Sequence, residues 1–232
     1  RFAPADAEGS GWFVSVAADS QCLVWRAEAD GAIQGTPEAV PMPPLPAPRK
    51  RAAGRRPPPP PQWRALAVPG GGATAYVALN QSGGPGHVVR VGVGKAPPKG
   101  AAISALVVDS HARVSAAPLT ALAVSADGEV LAAGTSEGEL LLLHARTLSR
   151  LVRVQPHSLW VTTLSLVTTR DTGAVSYAAI SCGGDNLCKL TMASSAELER
   201  ARTQAQLMYG ALFALVIALL SWLFLGDLLG PI

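Results

Sequence analysis

A turn flanked by two short strands recurs three times along the chain, and this repetition narrows the possible folds more than any other feature. GTSEGELLL from Gly134, AADSQCLVW from Ala17 and SCGGDNLCK from Ser181 align so that a small residue closes one strand and a leucine follows, at Leu140, Leu23 and Leu187. Between them lie the small, polar and glycine residues that tight turns require. A second echo joins Arg64-Ala65-Leu66-Ala67-Val68 to Thr120-Ala121-Leu122-Ala123-Val124, each followed by a glycine-bearing turn. Read from Leu119, the pattern becomes a unit of four strands: Leu119 to Val124, Val130 to Ala133, Leu140 to His144 and Leu148 to Val154. The next unit opens at Leu159 to Leu164, about 40 residues later, which is the spacing of four-stranded propeller blades.

The spacing predicts an all-β fold built from such blades over residues 1–193, with units at 1–33 (in part), 62–117, 118–155 and 156–193. Ala17-Ala18-Asp19 through Leu23-Val24-Trp25 also ends as WD-type blades do. At 232 residues the chain is too short for a seven-bladed ring of ~40-residue repeats. The expectation is therefore the C-terminal blades of a WD-type β-propeller whose N-terminal blades are missing.

GTSEG also matches G-x-S-x-G, the turn that presents a nucleophilic serine in many hydrolases. That chemistry needs a strand, a sharp turn and then a helix, and it needs an acid and a histidine downstream. Here Ser136 is followed by another strand, and the only acids between it and the last histidine, His157, are Glu137 and Glu139, both next to it in the turn. The sequence thus predicts a turn and no catalytic residue. Gly94-Lys95 fails as a phosphate-binding loop because Val89 and Ala96 stand where a glycine and a Ser/Thr are needed. Gly83-Gly84-Pro85-Gly86 lacks the strand-to-helix setting of a dinucleotide fingerprint.

Net charge is +3, and much of the excess lies in a proline-rich stretch at 34–61 that contains Arg49-Lys50-Arg51, Arg55-Arg56 and Pro57 to Pro61. Such a composition predicts a disordered, solvated insertion between blades. Import signal, nucleic-acid patch and ligand for proline-binding domains are the sharper readings. No aromatic residue interleaves with the charges for stacking on bases, so nucleic acid is not expected as a partner. The three cysteines Cys22, Cys182 and Cys188 form no CxxC and have no histidine at ligand spacing, and His87, His111, His144 and His157 are scattered. Cys182 and Cys188 face each other across a turn, and buried free thiols in a reducing compartment are the expected state. No metal and no cofactor is expected.

The last forty residues carry a different signal. Met208 to Gly226 holds no charge, and at ~1.5 Å per residue its nineteen residues cover about 28 Å, close to the hydrocarbon thickness of the endoplasmic reticulum. A transmembrane helix is expected over 208–226, anchored by Met208, Leu212, Phe213, Val216, Ile217, Leu220, Trp222 and Phe224. Arg200 and Arg202 on its N-terminal side would keep the propeller cytosolic and send a short tail, 227–232, into the lumen. Ser194 and Glu197 read as a capping box opening a juxtamembrane helix at 194–207. Gly210, Ala214 and Ala218 share one face, a spacing that permits helix pairing and equally reflects the alanine content. The sequon Asn80-Gln81-Ser82 offers a check, because a cytosolic domain is not glycosylated.

LTALAVSADGEVLAAGTSEGELLLL followed by QPHSLWVTTLSL, on a chain that ends in one membrane segment, resembles the Sec-twelve family of membrane-anchored WD-repeat guanine nucleotide exchange factors. The matching positions are Gly134-Thr135 and Gly138, then His157, Leu159, Val161 and Thr162. The similarity covers 118–226 well and 11–33 loosely, and 34–61 has no counterpart. The resemblance implies exchange of guanine nucleotide on a Sar-type small GTPase, starting COPII coat assembly at the endoplasmic reticulum membrane. It implies a regulatory protein rather than a metabolic enzyme, with its exchange loop in N-terminal blades, so that no exchange residue is assigned. The competing reading is a non-catalytic, membrane-tethered scaffold for protein-protein interaction, with the basic proline-rich loop as partner site.

Overall fold

The computed structural model describes residues 11–17, 21–27, 32–45, 59–70, 74–81, 84–93, 106–171 and 174–200, together with 203, 214, 216 and 217. Its strands form four antiparallel sheets, each a meander in chain order. The first holds β1 (Gly11–Val16), β2 (Cys22–Ala27) and β3 (Ile33–Ala39); the second holds β4 (Gln62–Ala67), β5 (Thr74–Asn80), β6 (Gly86–Val93) and β7 (Leu106–Ser115). The third comprises β8 (Leu119–Val124), β9 (Val130–Thr135), β10 (Leu140–His144) and β11 (Arg150–Val154), and the fourth β12 (Val161–Asp171), β13 (Ala174–Gly183) and β14 (Cys188–Ser194). The first strand of each sheet touches the first strand of the next, β1 to β4, β4 to β8 and β8 to β12. Sheets that succeed one another in this way, joined at their first strands, are arranged as consecutive blades.

Three apolar clusters fill the three interfaces between sheets. Val14, Cys22 and Val24 meet Trp63, Val77 and Leu79 between the first and second. Tyr76, Ala78 and Val88 meet Leu119, Leu131, Leu141 and Leu143 between the second and third. Ala132, Leu140 and Leu142 meet Val161, Leu164, Tyr177 and Ala179 between the third and fourth. The run Leu140-Leu141-Leu142-Leu143 is thereby explained: successive residues of a strand point to opposite faces, and β10 is covered on both, so alternate leucines feed different cores. Each of the four is at most 1% exposed, and each contributes ~1.5–3 kcal/mol of burial.

The two echoes in the sequence take equivalent places. The ALAV segments lie on β4 and β8, each the opening strand of its sheet, and the GTSEG turn joins β9 to β10; of AADSQ, Ala17 and Gln21 are described, and they stand between β1 and β2 with the Ala17 N–H donating to Gln21 O at 3.0 Å. Leu23 and Leu140 are strand residues, whereas Leu187 sits in the turn before β14 and is exposed. The predicted insertion at 34–61 is corrected at its start, because residues 34–39 belong to β3. This strand pairs with β2 alone, and its pairing shifts register around Gly35 and Pro37. Proline is tolerated there since an edge position asks for no donor on the outer side. Val40, 6% exposed, continues into the core beside Trp63. Residues 46–58 lie outside the described part.

At the end of β14 the expected capping box is present. The Glu197 backbone N–H donates to Ser194 Oγ at 3.2 Å, and the Ser194 N–H donates to Glu197 Oε2 at 2.9 Å. The Ser194 N–H bond first, and then the bond that Ser194 Oγ donates to Glu197 Oε2 at 3.0 Å, hold the Glu197 carboxyl below the usual range. Residues 195–200 are helical, and Leu198, 5% exposed, packs into the cluster shared by the third and fourth sheets.

Candidate functional site

At one end of the second and third sheets, beside the neighbouring strands β4 and β8, a cleft of about 540 Å³ opens. Pro59, Pro60, Gln62 and Arg64 line one side; Pro118, Leu119, Thr120 and Ser136 line the other, with Asn80 and Gln81 also contributing. Asn80 locks the two sheets together there. Its Nδ2–H donates to Leu119 O at 2.7 Å, and its Oδ1 accepts from Leu119 N–H at 2.8 Å, so the carboxamide pairs with β8 as another strand would. The residue is 9% exposed. The folded domain therefore withdraws the acceptor nitrogen of the sequon, and absence of glycan on Asn80 does not report topology; Ser82 lies outside the described residues.

Ser136 lines this cleft, which returns attention to the nucleophile motif. Its backbone N–H donates to Pro118 O at 2.9 Å, and the turn leads from β9 into β10. No histidine and no carboxylate is among the described lining residues, so none of these supplies a base to activate the hydroxyl. Gly138 closes the same turn at φ +82°; a Cβ there would overlap His157 O and come within 2.5 Å of Leu159 O. The glycine thus serves the packing of the turn against the loop that enters the fourth sheet.

That loop supplies a feature the sequence reading missed. His157 is brought to Ser181 on β13 and to Asp185 in the β13–β14 turn, with Nε2 2.8 Å from Ser181 Oγ and Nδ1 3.0 Å from Asp185 Oδ1. The carboxylate accepts a hydrogen bond from Nδ1–H, and Nε2 and the Ser181 hydroxyl share the second bond. Asp185 also accepts from the N–H groups of Ser158 and Leu187, each at 3.2 Å. Partial desolvation pushes its carboxyl upward, but the bonds from His157, Ser158 and Leu187 together hold it below the usual range. The chemistry resembles a catalytic triad in its order of contacts. Its placement is different: Ser181 is 0% exposed and His157 is 2% exposed, so a substrate carbonyl has no path to Oγ. The set ties the entering loop to the last hairpin. Its sequence trace is slight, since 24 and 28 residues separate His157 from its partners.

Other polar contacts are likewise structural. Tyr177 OH donates to Asp127 Oδ2 at 3.0 Å, joining the fourth sheet to the β8–β9 turn. Burial first, and then this bond, raise the tyrosine to about 12. Asp127 is pushed up by burial, but more strongly down by bonds from Ser125, the Glu129 N–H and Tyr177. Glu139, just ahead of β10, pairs with Arg153 on β11. His87 on β6 is 2% exposed, and neither ring nitrogen has a hydrogen-bond partner among the described residues; burial, followed by the charges of His111 and Arg113, lowers its pKa.

Cys182 and Cys188 are directly opposed on β13 and β14 and are joined as a disulfide, Cα to Cα 4.2 Å. The expected pair of buried thiols is corrected: the register sets these residues face to face on a half-open hairpin. Cys22 is the free cysteine, and burial drives its thiol up to about 12. Among the described residues, no group of three His, Cys, Asp or Glu is placed to hold a metal ion.

Of the residues expected to set topology and anchor the chain, Arg200 lies on the helix at 195–200 and is exposed. Val216 and Ile217 are helical and exposed at 44% and 48%. Arg202, Met208, Leu212, Phe213, Leu220, Trp222 and Phe224 lie outside the described residues, as do Gly210 and Ala218 of the pairing face. Among the described residues no helix is long and apolar enough to cross a membrane.

No protein-family model matches the chain, and no curated protein does. Among solved structures, it is similar to a chain in the crystal structure of the mitotic checkpoint complex, with 16% identity and a TM-score of 0.49. The match covers 82% of this chain and 46% of the other, so the chain spans about half the length of that neighbour. Likeness at this level adds nothing to the architecture read directly from the four sheets.

Proposed function

We propose that the chain acts by presenting binding surfaces, as part of a membrane-tethered WD-type β-propeller. The observation that carries this reading is the succession of four stacked meander sheets in which Ser181 and His157 are sealed from solvent, while the cleft beside β4 and β8 holds no base among its described lining residues. A rigid stack that offers loops and clefts but no chemistry at them is suited to a protein-interaction scaffold. The outward face of the fourth sheet supports further blades: Val167, Ile180, Leu190 and Met192 are exposed, though the three earlier sheets each bury a face against a successor.

Within that reading, we assign the scaffold to guanine nucleotide exchange on a Sar-type small GTPase at the endoplasmic reticulum membrane, with the propeller facing the cytosol. Support comes from the Gly134-Thr135 and Gly138 turn and the His157 to Thr162 opening on which the family resemblance rests. An exchange factor binds the nucleotide-free GTPase better than the loaded one and so shifts its population toward release. The test is release of a fluorescent guanine nucleotide from a Sar-type GTPase on liposomes carrying the full-length protein. Faster release supports exchange; an unchanged rate leaves the scaffold alone. Carbonate washing of microsomes tests the anchor, which is refuted if the intact protein is stripped.

A further inference from the structure

We infer that the cleft between β4 and β8 receives a carboxylate-bearing segment of a partner protein. The inference rests on the scaffold reading and names the kind of partner. It begins with charge. Arg64 stands exposed on β4 at the wall of the cleft, and among the described residues no ion pair engages it and no lining residue is acidic. The nearest acid along the chain, Glu137, follows the lining residue Ser136 in the turn and is outside the lining. An unmatched guanidinium at the wall of a concave, largely apolar site favours an anion, and its planar fork suits a carboxylate held through two N–H groups.

The remaining walls fit a peptide. Pro59, Pro60 and Pro118 are stiff apolar surfaces without N–H donors, and they alternate with the hydrogen-bonding side chains of Gln62, Thr120 and Ser136. Thr120 Oγ1 already donates to Gly134 O at 3.2 Å and so keeps acceptor capacity for a backbone N–H. The volume lies inside the range of small-ligand and peptide-anchor pockets, about 300 to 1,000 Å³. Asn80 holds the two sheets in fixed relation beneath the cleft, so its shape exists before binding and little ordering is required. Since Asn80 is spent on Leu119, the ligand is held by Arg64 and the hydroxyl and amide groups around it.

The experiment uses the full chain in detergent micelles and a fluorescein-labelled peptide rich in glutamate, its counterpart with every glutamate replaced by glutamine, and a phosphoserine peptide. Fluorescence anisotropy is expected to show binding of the glutamate peptide and at least tenfold weaker binding of the glutamine version. Arg64→Glu, at an exposed position that leaves the fold intact, is expected to weaken the glutamate peptide by about tenfold or more, the range of one charge-assisted contact. Ser136→Trp, which fills the opposite wall, is expected to do the same. Arg55→Gln with Arg56→Gln separates the cleft from the basic stretch ahead of Pro59, and should change affinity less than Arg64→Glu does. The inference is overturned if Arg64→Glu binds as the parent does, if the basic-stretch variant has the larger effect, or if the phosphoserine peptide binds more than tenfold tighter than the glutamate peptide. A protein that accelerates nucleotide release but ignores the acidic peptide loses this inference alone; one that binds the peptide without accelerating release loses only the exchange reading.

Discussion

Truncating His157 to alanine tests whether the Ser-His-Asp set is a structural tie. The ring is 2% exposed and touches both Ser181 and Asp185. Removing a buried ring of this size costs about 3 to 5 kcal/mol in burial and cavity. Ser181, fully buried, then loses its 2.8 Å partner and retains only Lys189 O at 3.5 Å, a poor substitute that leaves about 1 kcal/mol unrecovered. The expected loss for His157→Ala is thus about 4 kcal/mol or more, a large part of the ~5–15 kcal/mol available to a folded domain. Urea unfolding followed by tryptophan fluorescence measures it, and Trp160 reports locally, because an alanine Cβ at Gly184 would lie only 2.7 Å from its ring. Ser181→Ala should cost about 1 to 2 kcal/mol, and the double variant should cost less than the two single losses together, since the bond can be lost only once. A loss under 1 kcal/mol for His157→Ala, or an esterase activity abolished by Ser181→Ala, would refute the structural assignment.

Gly138→Ala should destabilise by about 2 to 4 kcal/mol, from its positive φ and the clash with the His157 carbonyl, and thermal melting should show it while Gly70→Ala, with open space around it, stays near the parent. Asn80→Ala strands the Leu119 N–H and C=O in a closed site and should cost about 2 to 4 kcal/mol in the same assay; equal stability would remove the lock between the sheets. For pH, Asp185 and Asp127 are depressed in the folded state, so their stabilising contribution is present above the unfolded carboxylate pKa and disappears as pH falls through the folded values; Asp185→Asn should flatten the acid limb of a stability profile. Tyr177 is the opposite case, its contribution being full below about 10 and fading as pH rises toward about 12, and Tyr177→Phe should abolish that alkaline limb. Native alkylation should label none of the three cysteines without reductant, label Cys182 and Cys188 with it, and spare Cys22 until unfolding; early labelling of Cys22 would contradict its burial.

The sheets were legible because strand, turn and repeat signals are local. Leu119 to Val124 and Leu140 to His144 were bounded as the structure has them, and the leucine run became intelligible once both faces of β10 were covered. Contacts that depend on register were legible only in part. That Cys182 and Cys188 face each other across the turn was read from the sequence, whereas their joining depends on the exact register, since a slip of one position would send their side chains to the other face. Ser181 and Asp185 meet His157 only because the loop before β12 folds back over the last hairpin. The same holds at the cleft: Arg64 and Ser136 are 72 positions apart in number and share one wall-to-wall opening because their sheets are neighbours. Asn80 was noticed as a sequon, a surface feature, whereas its buried amide completes β8. Short-range pattern cannot tell a polar side chain that meets solvent from one that replaces a backbone partner.

Leu198 has a mechanical consequence. The short helix after β14 is pinned by this side chain among Val130, Tyr177 and Ala193, barely one turn after it starts. A pull applied at Arg200 is therefore delivered to the seam between the last two sheets, which Leu198 fastens to the chain like a dowel.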